Sequence, residues 1–497
     1  MSTKNEDDIL KTVPQKGFFG HPKGLSTLFF TEFWERFSYY GMRAILLYYM
    51  YYEVTNGGLG LDQTTANSIM AIYGSLVYMS GIIGGWIADR ILGMNRTVFY
   101  GGFLIMIGHI ILSLPAGLTG LLASMLFIII GTGLLKPNVA GMVGQLYSQK
   151  DPRRDSGFSI YYMGINMGGF IAPLIVGTVG QTYNFHLGFA LAAVGMFAGL
   201  VVYLFTRKKY FGLAGTIVPN PLTVESKKKF RKIISLSVVI LAVIGWIGKS
   251  GGWLTIERII LFISILGVII PAIYFITMYR SKKTSSDERS RLLAYIPLFI
   301  AAMMFWAIQE QGSNILATYA NERTQLSFMG IELQSSWFQS LNPLFIVALA
   351  PVFAWFWMKL GDRQPSTPKK FSFGLMFAGL SFIVMIFPAV LNGTNSLVSP
   401  LWLVLSFFLV VLGELLLSPV GLSATTKLAP AAFAAQMMSL WNLSNASAQA
   451  INAQVVRFYS VETEAIYFGV IGGVAILLGV ILLIISPKLK KFMRGIN

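Results

Sequence analysis

The sequence of 497 residues contains no cysteine, only three histidines and few charged residues. Without cysteine, the chain has no disulfides, no thiolate nucleophiles and no thiolate metal sites. The histidines lie too far apart for a His-Glu-x-x-His zinc motif, and no Walker sequence or Gly-x-Ser-x-Gly elbow occurs. We therefore expect no metal, no organic cofactor and no enzyme activity.

Charge is scarce along the whole chain. Charged residues make up 12% of the sequence, whereas soluble proteins carry about a quarter. Hydrophobic residues make up 55%, and runs such as 121–130, 259–270 and 471–485 fit membrane spans of about 20 residues. The sequence predicts an all-α, polytopic integral membrane protein.

The net charge of +17 could suggest a nucleic acid partner, but the distribution of basic residues argues against one. When the chain is read as fourteen helices with both ends inside, most of its 38 Lys and Arg residues fall in inside loops. This positive-inside pattern orients membrane proteins, and such loops can also contact anionic lipid. We expect a multi-pass protein with both termini in the cytoplasm and no nucleic acid partner.

Hydropathy divides the helices into two groups of six, separated by two additional helices. The expected spans are 25–53, 66–90, 95–115, 118–143, 155–180, 186–206, 233–250, 255–279, 292–319, 334–360, 370–391, 399–427, 430–456 and 463–486. The corresponding segments are a cytoplasmic N-terminal segment (1–24), an N-terminal six-helix bundle (25–206), a linker with two extra helices (207–291), a C-terminal six-helix bundle (292–486) and a cytoplasmic tail (487–497).

The two groups of six resemble each other at their second helices. Asp89-Arg90 follows the second helix of the first group, and Asp362-Arg363 follows that of the second, each beside glycine. Such residues can bond helix-terminal backbone groups and bridge neighbouring helices. Their matching positions suggest a duplicated six-helix bundle, which resembles the build of the major facilitator superfamily.

The first helix carries two carboxylates and two guanidinium groups, Glu32, Glu35, Arg36 and Arg43. A charge at the centre of a bilayer costs at least ~2.5–3.5 kcal/mol on insertion scales. At 100° per residue these groups share one side of the helix with Tyr39 and Tyr40. Apolar residues on both sides of the cluster argue against snorkelling at a helix end, so we expect this face to line a polar cavity.

Two pairs of opposite charge occupy corresponding helices of the two groups. Arg43 in the first helix matches Glu310 in the first helix of the second group, and Lys136 in the fourth helix matches Glu414 in its counterpart. Arg43 and Glu310 would meet nearer the outside, and Lys136 and Glu414 nearer the inside. We interpret them as outer and inner gate pairs of two bundles that rock about a central site. Static ion pairs that only hold the bundles together are the alternative.

Three motifs together resemble the bacterial members of the proton-coupled oligopeptide transporter family. They are Glu32-x-x-Glu35-Arg36-Phe37, the run from Gly84 to Gly93, and the run from Phe158 to Phe170. The resemblance implies the major facilitator fold and import of di- and tripeptides with protons by alternating access across the bacterial cell membrane. Animal members carry a histidine on the second helix, where this chain has Tyr78 and no histidine. A histidine proton relay is therefore not expected.

A short peptide is a zwitterion whose charged ends lie ~7 Å apart for two residues and ~10 Å for three. Its site needs a cation and an anion at opposed ends, which Arg36, Lys136 and Glu414 can supply, helped by the amides of Asn166 and Asn342. The family resemblance places further residues around the substrate: Tyr39, Tyr40, Tyr78, Trp306, Glu310, Ser418 and Trp441.

Coupling requires a group that titrates, and Glu32, Glu35 and Glu310 are the candidates. Protonation of Glu32 or Glu35 would free Arg36 and Lys136 to hold the substrate carboxylate. The alternative function is transport of another substrate, either nitrate or a drug exchanged for protons. Glu414 argues for an amine-bearing substrate. The expected partners are peptides, protons and membrane lipid, and the expected state is a monomer.

Overall fold

The computed structural model describes residues 9–148 and 150–495, apart from five side chains at positions 238, 241, 242, 249 and 362. The carboxylate of Asp362, which forms half of one predicted Asp-Arg pair, thus lies outside the described residues, as do positions 1–8 and 496–497. The described part contains fourteen long helices, one for each predicted span, and this confirms the predicted all-α architecture.

The helices of the first bundle are α1 (Gly24–Tyr51), α2 (Gln63–Ile87), α3 (Met94–Leu112), α4 (Gly117–Gln145), α5 (Arg154–Ala172) and α6 (Phe185–Tyr210). The additional pair is α7 (Val224–Ser250) and α8 (Ile256–Arg280). The second bundle contains α9 (Ser286–Gln309), α10 (Leu341–Leu360), α11 (Thr367–Ile383), α12 (Leu401–Leu428), α13 (Ala434–Val455) and α14 (Glu464–Phe492). We call the end that bears both chain termini the inner end and the opposite end the outer end.

Among the residues that the structure describes, eleven helical segments are long and apolar enough to cross a membrane. The other three long helices, α1, α7 and α13, have 28, 27 and 22 residues and are more polar. In α1 and α13 the polar side chains are mostly buried in the protein, which explains how these helices can lie at membrane depth.

Several helices are interrupted where the sequence analysis treated them as continuous. The α9 helix gives way to a 3-10 turn, Glu310–Ser313, and resumes as Ile315–Glu322. Glycine and serine in this turn are weak helix formers, and the Ser313 hydroxyl bonds the carbonyl of Glu310 at 3.3 Å. A small hairpin, Ser327–Phe328 with Ile331–Glu332, follows and was not predicted. Its turn residues Met329 and Gly330 both have positive φ, as a type I′ turn requires.

The third and fourth helices of each bundle pack through reciprocal glycines. An added Cβ on Gly101 would lie 2.7 Å from the Gly131 carbonyl oxygen, and one on Gly131 would lie 2.6 Å from that of Gly101. In the second bundle the corresponding helices place Gly374 and Gly413 face to face in the same manner, at 2.9 and 2.5 Å. The same backbone-to-backbone contact at matching helices is what a duplicated bundle would retain.

The second additional helix, α8, lies across the junction of the two bundles. Ser447 of α13 donates a hydrogen bond to the Gly267 carbonyl at 2.6 Å, and a Cβ on Gly267 would meet the Cβ of Ala450 at 2.5 Å. Nearby, Ser75 of α2 donates to the Ala446 carbonyl of α13 at 2.8 Å. Helices α2, α8 and α13 therefore meet in one seam between the bundles.

Candidate functional site

The charged face of α1 is buried between the bundles. Glu32, Glu35, Arg36 and Arg43 are 2, 0, 3 and 8% exposed. Arg36 Nε lies 3.1 Å from Glu32 Oε1, one helical turn away, and also pairs with the carboxylate of Glu35. Arg36 Nη2 and Glu35 Oε1 have no hydrogen-bond partner in the described part of the chain. Buried polar atoms normally find partners, so this cluster has binding capacity that a ligand could use.

Three predicted tyrosines surround the two predicted cations. The guanidinium carbon of Arg36 lies 5.4 Å from the ring centre of Tyr39 and 5.9 Å from that of Tyr40. The ammonium of Lys136 lies 4.2 Å from the ring centre of Tyr78. Aromatic faces attract cations without neutralising them, so these tyrosines can hold both side chains in place beside a site for an anionic ligand.

The structure brings Arg43 and Glu310 together, from opposite bundles. Arg43 Nη2 donates to Glu310 Oε2 at 2.7 Å, and both side chains are more than nine-tenths buried. The break in α9 places Glu310 at the helix end, where its side chain reaches α1. This pair links the two bundles on the outer side of Arg36.

The structure does not bring Lys136 and Glu414 together. Glu414 Oε2 instead accepts a hydrogen bond from Asn342 Nδ2 at 3.1 Å, within the second bundle. Lys136 remains in the first bundle beside Tyr78. Arg43 and Glu310 therefore form an ion pair between the bundles, whereas Lys136 and Glu414 each contact a residue of their own bundle.

The remaining predicted side chains line the same region. Trp306 and Trp441 meet edge to face with ring centres 6.5 Å apart, and Trp306 Nε1 has no hydrogen-bond partner among the described residues. Ser418 lies one helical turn beyond Glu414 in α12. Asn166 is 6% exposed, and one N–H of its side-chain amide donates to the Tyr162 carbonyl of its own helix at 2.9 Å, which leaves its other N–H and its side-chain oxygen for a ligand.

Sequence reasoning missed the polar residues of α13 that hold Glu310. Asn445 Nδ2 donates to Glu310 Oε1 at 2.9 Å, and Gln449 Nε2 donates to Asn445 Oδ1 at 2.9 Å. Glu310 thus receives one donor from each bundle. The signal was available in the sequence, because Asn445, Gln449 and Asn452 repeat at helical spacing on one face of α13.

Direct hydrogen bonds join the two bundles at the outer end. They link Tyr52 to Asn321, Gln181 to Ser335 and Trp337 to Thr178, at 2.7, 2.7 and 2.9 Å respectively. A further contact joins the side chains of Gln63 and Glu322. We refer to these four contacts as the outer seal.

Comparison with known proteins gives consistent matches over both bundles. A family model described as PTR2, POT family, matches residues 95–474. An uncharacterized transporter, YclF, of Bacillus subtilis (strain 168) is 64% identical and covers 100% of both chains. A di-/tripeptide transporter of Lactococcus lactis subsp. cremoris is 52% identical over 97% of this chain and 99% of its own.

Solved structures give the same result. A peptide transporter POT in complex with sulfate aligns with a TM-score of 0.97 at 66% identity, over 99% of both chains. A mutant peptide transporter POT in complex with alafosfalin aligns with a TM-score of 0.95, also at 66% identity and over 99% of both chains.

Proposed function

We propose, since this chain belongs to the POT family, that it is a proton-coupled symporter that imports di- and tripeptides by alternating access. The Lactococcus lactis relative is named a di-/tripeptide transporter, and the solved relatives are named peptide transporters. These names favour peptides over nitrate or drug exchange, and transport over enzyme activity.

The observation that carries the proposal is the pair of opposed charges between the bundles. Arg36 in α1 has a buried nitrogen without a hydrogen-bond partner among the described residues, Lys136 of the same bundle lies beside Tyr78, and Glu414 in α12 supplies a carboxylate from the other bundle. A zwitterionic peptide would place its carboxylate toward Arg36 and Lys136 and its ammonium toward Glu414. Recognition of the two backbone ends leaves the side chains free to vary.

Proton coupling follows from competition for Arg36. The carboxylates of Glu32 and Glu35 hold this guanidinium while they are ionised. Protonation of either glutamate removes a negative charge, so Arg36 becomes a stronger ligand for the peptide carboxylate. When the peptide leaves, the ion pairs re-form and the proton is released. Proton and peptide therefore move together.

Gating rests on the two predicted gate pairs. The Arg43–Glu310 pair and the outer seal are closed here, whereas Lys136 and Glu414 are apart. We assign this arrangement to a state whose site is open toward the inner end. Opening of the outer side would need Glu310 to release Arg43, which its protonation would favour.

The same proposal includes the environment of the protein. We place it in the bacterial cell membrane, with both termini in the cytoplasm, from the distribution of its basic loops. It would act as a monomer of two six-helix bundles, divided as the sequence predicts, with the proton as its sole coupling ion and no cofactor or metal.

The test is uptake of labelled dialanine into proteoliposomes with and without an inward proton gradient. We expect accumulation only with the gradient, and loss of that accumulation when Glu32 and Glu35 are both changed to Gln. Pyranine-reported proton entry with nitrate in place of peptide should show no signal. Absence of dialanine uptake under both conditions, or nitrate-driven proton entry, would overturn the proposal.

A further inference from the structure

A second cavity, of about 1260 Å³, lies at the inner end of the C-terminal bundle. Its walls are the inner ends of α10, α11, α12 and α14 and the connecting segment 361–366. None of the predicted substrate or coupling residues is among the described residues that line it. Ligand pockets usually hold about 300–1,000 Å³, so this cavity has room for a large ligand.

One wall of the cavity is strongly positive. Five cationic side chains line it: Arg363, Lys369, Lys370, Lys427 and Lys490. No aspartate or glutamate among the described side chains lines the cavity. No ion pair holds Lys369, Lys370 or Lys490 within the described part of the chain. Lys370 Nζ donates to the neutral Gln364 Oε1 at 2.7 Å, and no carboxylate among the described side chains forms an ion pair with it. Like charges gathered around one cavity attract an anion.

The wall beside these cations is aromatic and apolar. Lys370 Nζ lies 4.1 Å from the ring centre of Trp357, and Phe353 lies 6.4 Å from the same tryptophan, ring centre to ring centre. Phe373 and Leu415 extend this wall. A soluble anion such as phosphate would use the positive wall but would leave the aromatic wall without a partner.

The cavity also lies beside surface suited to the bilayer. Helix α10, which forms one of its walls, has a single buried residue, Ile346. At the level of the cavity its outer face presents Trp355, Phe356 and Met358, which are 56, 43 and 76% exposed. The positive-inside pattern assigns this end of the protein to the cytoplasmic leaflet, where anionic lipids attract basic side chains.

We propose that this cavity binds an anionic phospholipid of the cytoplasmic leaflet. Lys369, Lys370 and Lys490 hold the phosphodiester by charge-assisted hydrogen bonds, and an acyl chain lies against Phe353 and Trp357. The combination of three lysines without an ion pair among the described side chains, an aromatic wall and an exposed apolar helix at the same level selects an amphiphilic anion. The site is separate from the peptide site and does not depend on the proposed transport activity.

The first test measures lipid retention by native mass spectrometry of the full-length protein with equimolar phosphatidylglycerol and phosphatidylcholine. We expect preferential retention of phosphatidylglycerol, weakened at least tenfold in the triple variant Lys369→Gln, Lys370→Gln, Lys490→Gln. The control, Lys227→Gln, Lys228→Gln, Lys229→Gln, removes the same charge from exposed positions of α7 outside the cavity. The lipid-free melting temperature of each variant checks that it is folded.

Each outcome decides the proposal. Equal retention of the two lipids would contradict a specific lipid site in the cavity. An equal loss of phosphatidylglycerol in both triple variants would contradict it too, because general charge attraction would then explain the binding. Glycerol 3-phosphate is tested at matched concentration. If it displaced phosphatidylglycerol as effectively as the lipid itself, the site would recognise a free phosphate rather than a lipid.

A second test locates the acyl chain and does not require removal of any lysine. Phosphatidylglycerol with brominated acyl chains quenches nearby tryptophan fluorescence, and brominated phosphatidylcholine gives the background. We expect the phosphatidylglycerol-specific quenching to disappear in Trp357→Phe and to persist in Trp355→Phe, two residues away on the outer face of α10. Loss in both variants or in neither would contradict an acyl chain in the cavity.

Discussion

Glu310 accepts hydrogen bonds from groups of both bundles, so a change in the charge of this one carboxylate would affect its contacts with both. Arg43 donates to one oxygen and Asn445 to the other, at 2.7 and 2.9 Å. Removal of either donor changes the balance between the closed and open outer side. Mutation of Asn445 is the milder change, because it leaves the ion pair in place.

For Asn445→Ala we expect proton-driven dialanine accumulation to fall roughly tenfold, because a hydrogen bond to a charged group is worth about 1.5–3 kcal/mol. Ser444→Ala is the control, since the hydroxyl of Ser444 bonds only the Trp441 carbonyl of its own helix. Proteoliposome uptake at several pH values measures both variants. Equal uptake by the two would show that Asn445 does not support Glu310.

A second ion pair, Arg323–Glu464, illustrates how burial affects the contribution of an ion pair to stability. Arg323 Nη2 and Nε lie 2.8 and 3.0 Å from the two carboxylate oxygens, and both residues are buried. Removal of one partner from a buried pair costs about 3–5 kcal/mol, because the other charge is left unpaired. We expect Glu464→Gln to lower the melting temperature in detergent strongly.

The exposed pair Arg494–Asp287, at 3.4 Å, provides the comparison. Exposed pairs contribute about 0–1 kcal/mol, so Asp287→Asn should leave the melting temperature nearly unchanged. A similar fall for both variants would indicate that the Arg323–Glu464 pair is not a buried anchor.

At the scale of helices, the reciprocal glycines set the distance between the third and fourth helices of each bundle. We expect Gly413→Val to destabilise the protein by about 1–3 kcal/mol, because its side chain would meet the Gly374 carbonyl and Phe305. Gly473→Ala is the control, since a Cβ there meets nothing within 4 Å and alanine favours the helix. Thermal unfolding in detergent compares them, and equal stability would contradict close backbone contact.

The helices could be predicted from hydropathy because a bilayer requires about 20 apolar residues, whatever their neighbours are. The break in α9 was not predicted, because its local glycine and serine are only a weak signal and the partner that binds Glu310 there, Asn445, is distant in sequence. The pairing of Arg43 with Glu310 followed from matching helices, whereas the position of Lys136 depends on the conformational state. In the sequence, the polar residues of α13 could be recognised as one face of a helix, but not as partners of Glu310.

At the scale of the whole molecule, the predicted major facilitator fold is confirmed by the solved relatives, which align over 99% of the chain. This fold makes transport a relative motion of the two bundles, so a covalent link across the outer seal should stop it. The absence of cysteine makes such a test clean, because any thiol introduced is the only one available.

Gln63→Cys with Glu322→Cys places two thiols at side chains that are in contact across the outer seal. We expect a short bifunctional maleimide to abolish dialanine uptake by the double variant while each single variant retains it. Uptake assays before and after labelling measure the effect. Full activity after complete cross-linking would exclude opening at this end.

The outer seal is made of hydroxyls, amides, a carboxylate and an indole nitrogen rather than interlocking aliphatic side chains. When the bundles part there, each donor and acceptor meets bulk water and exchanges one hydrogen bond for another of similar strength. An apolar seal would instead expose its whole area to water on every opening, which costs free energy in proportion to that area. The two bundles can therefore hold together at the outer end and still separate at a low cost in free energy, as a repeated transport cycle requires.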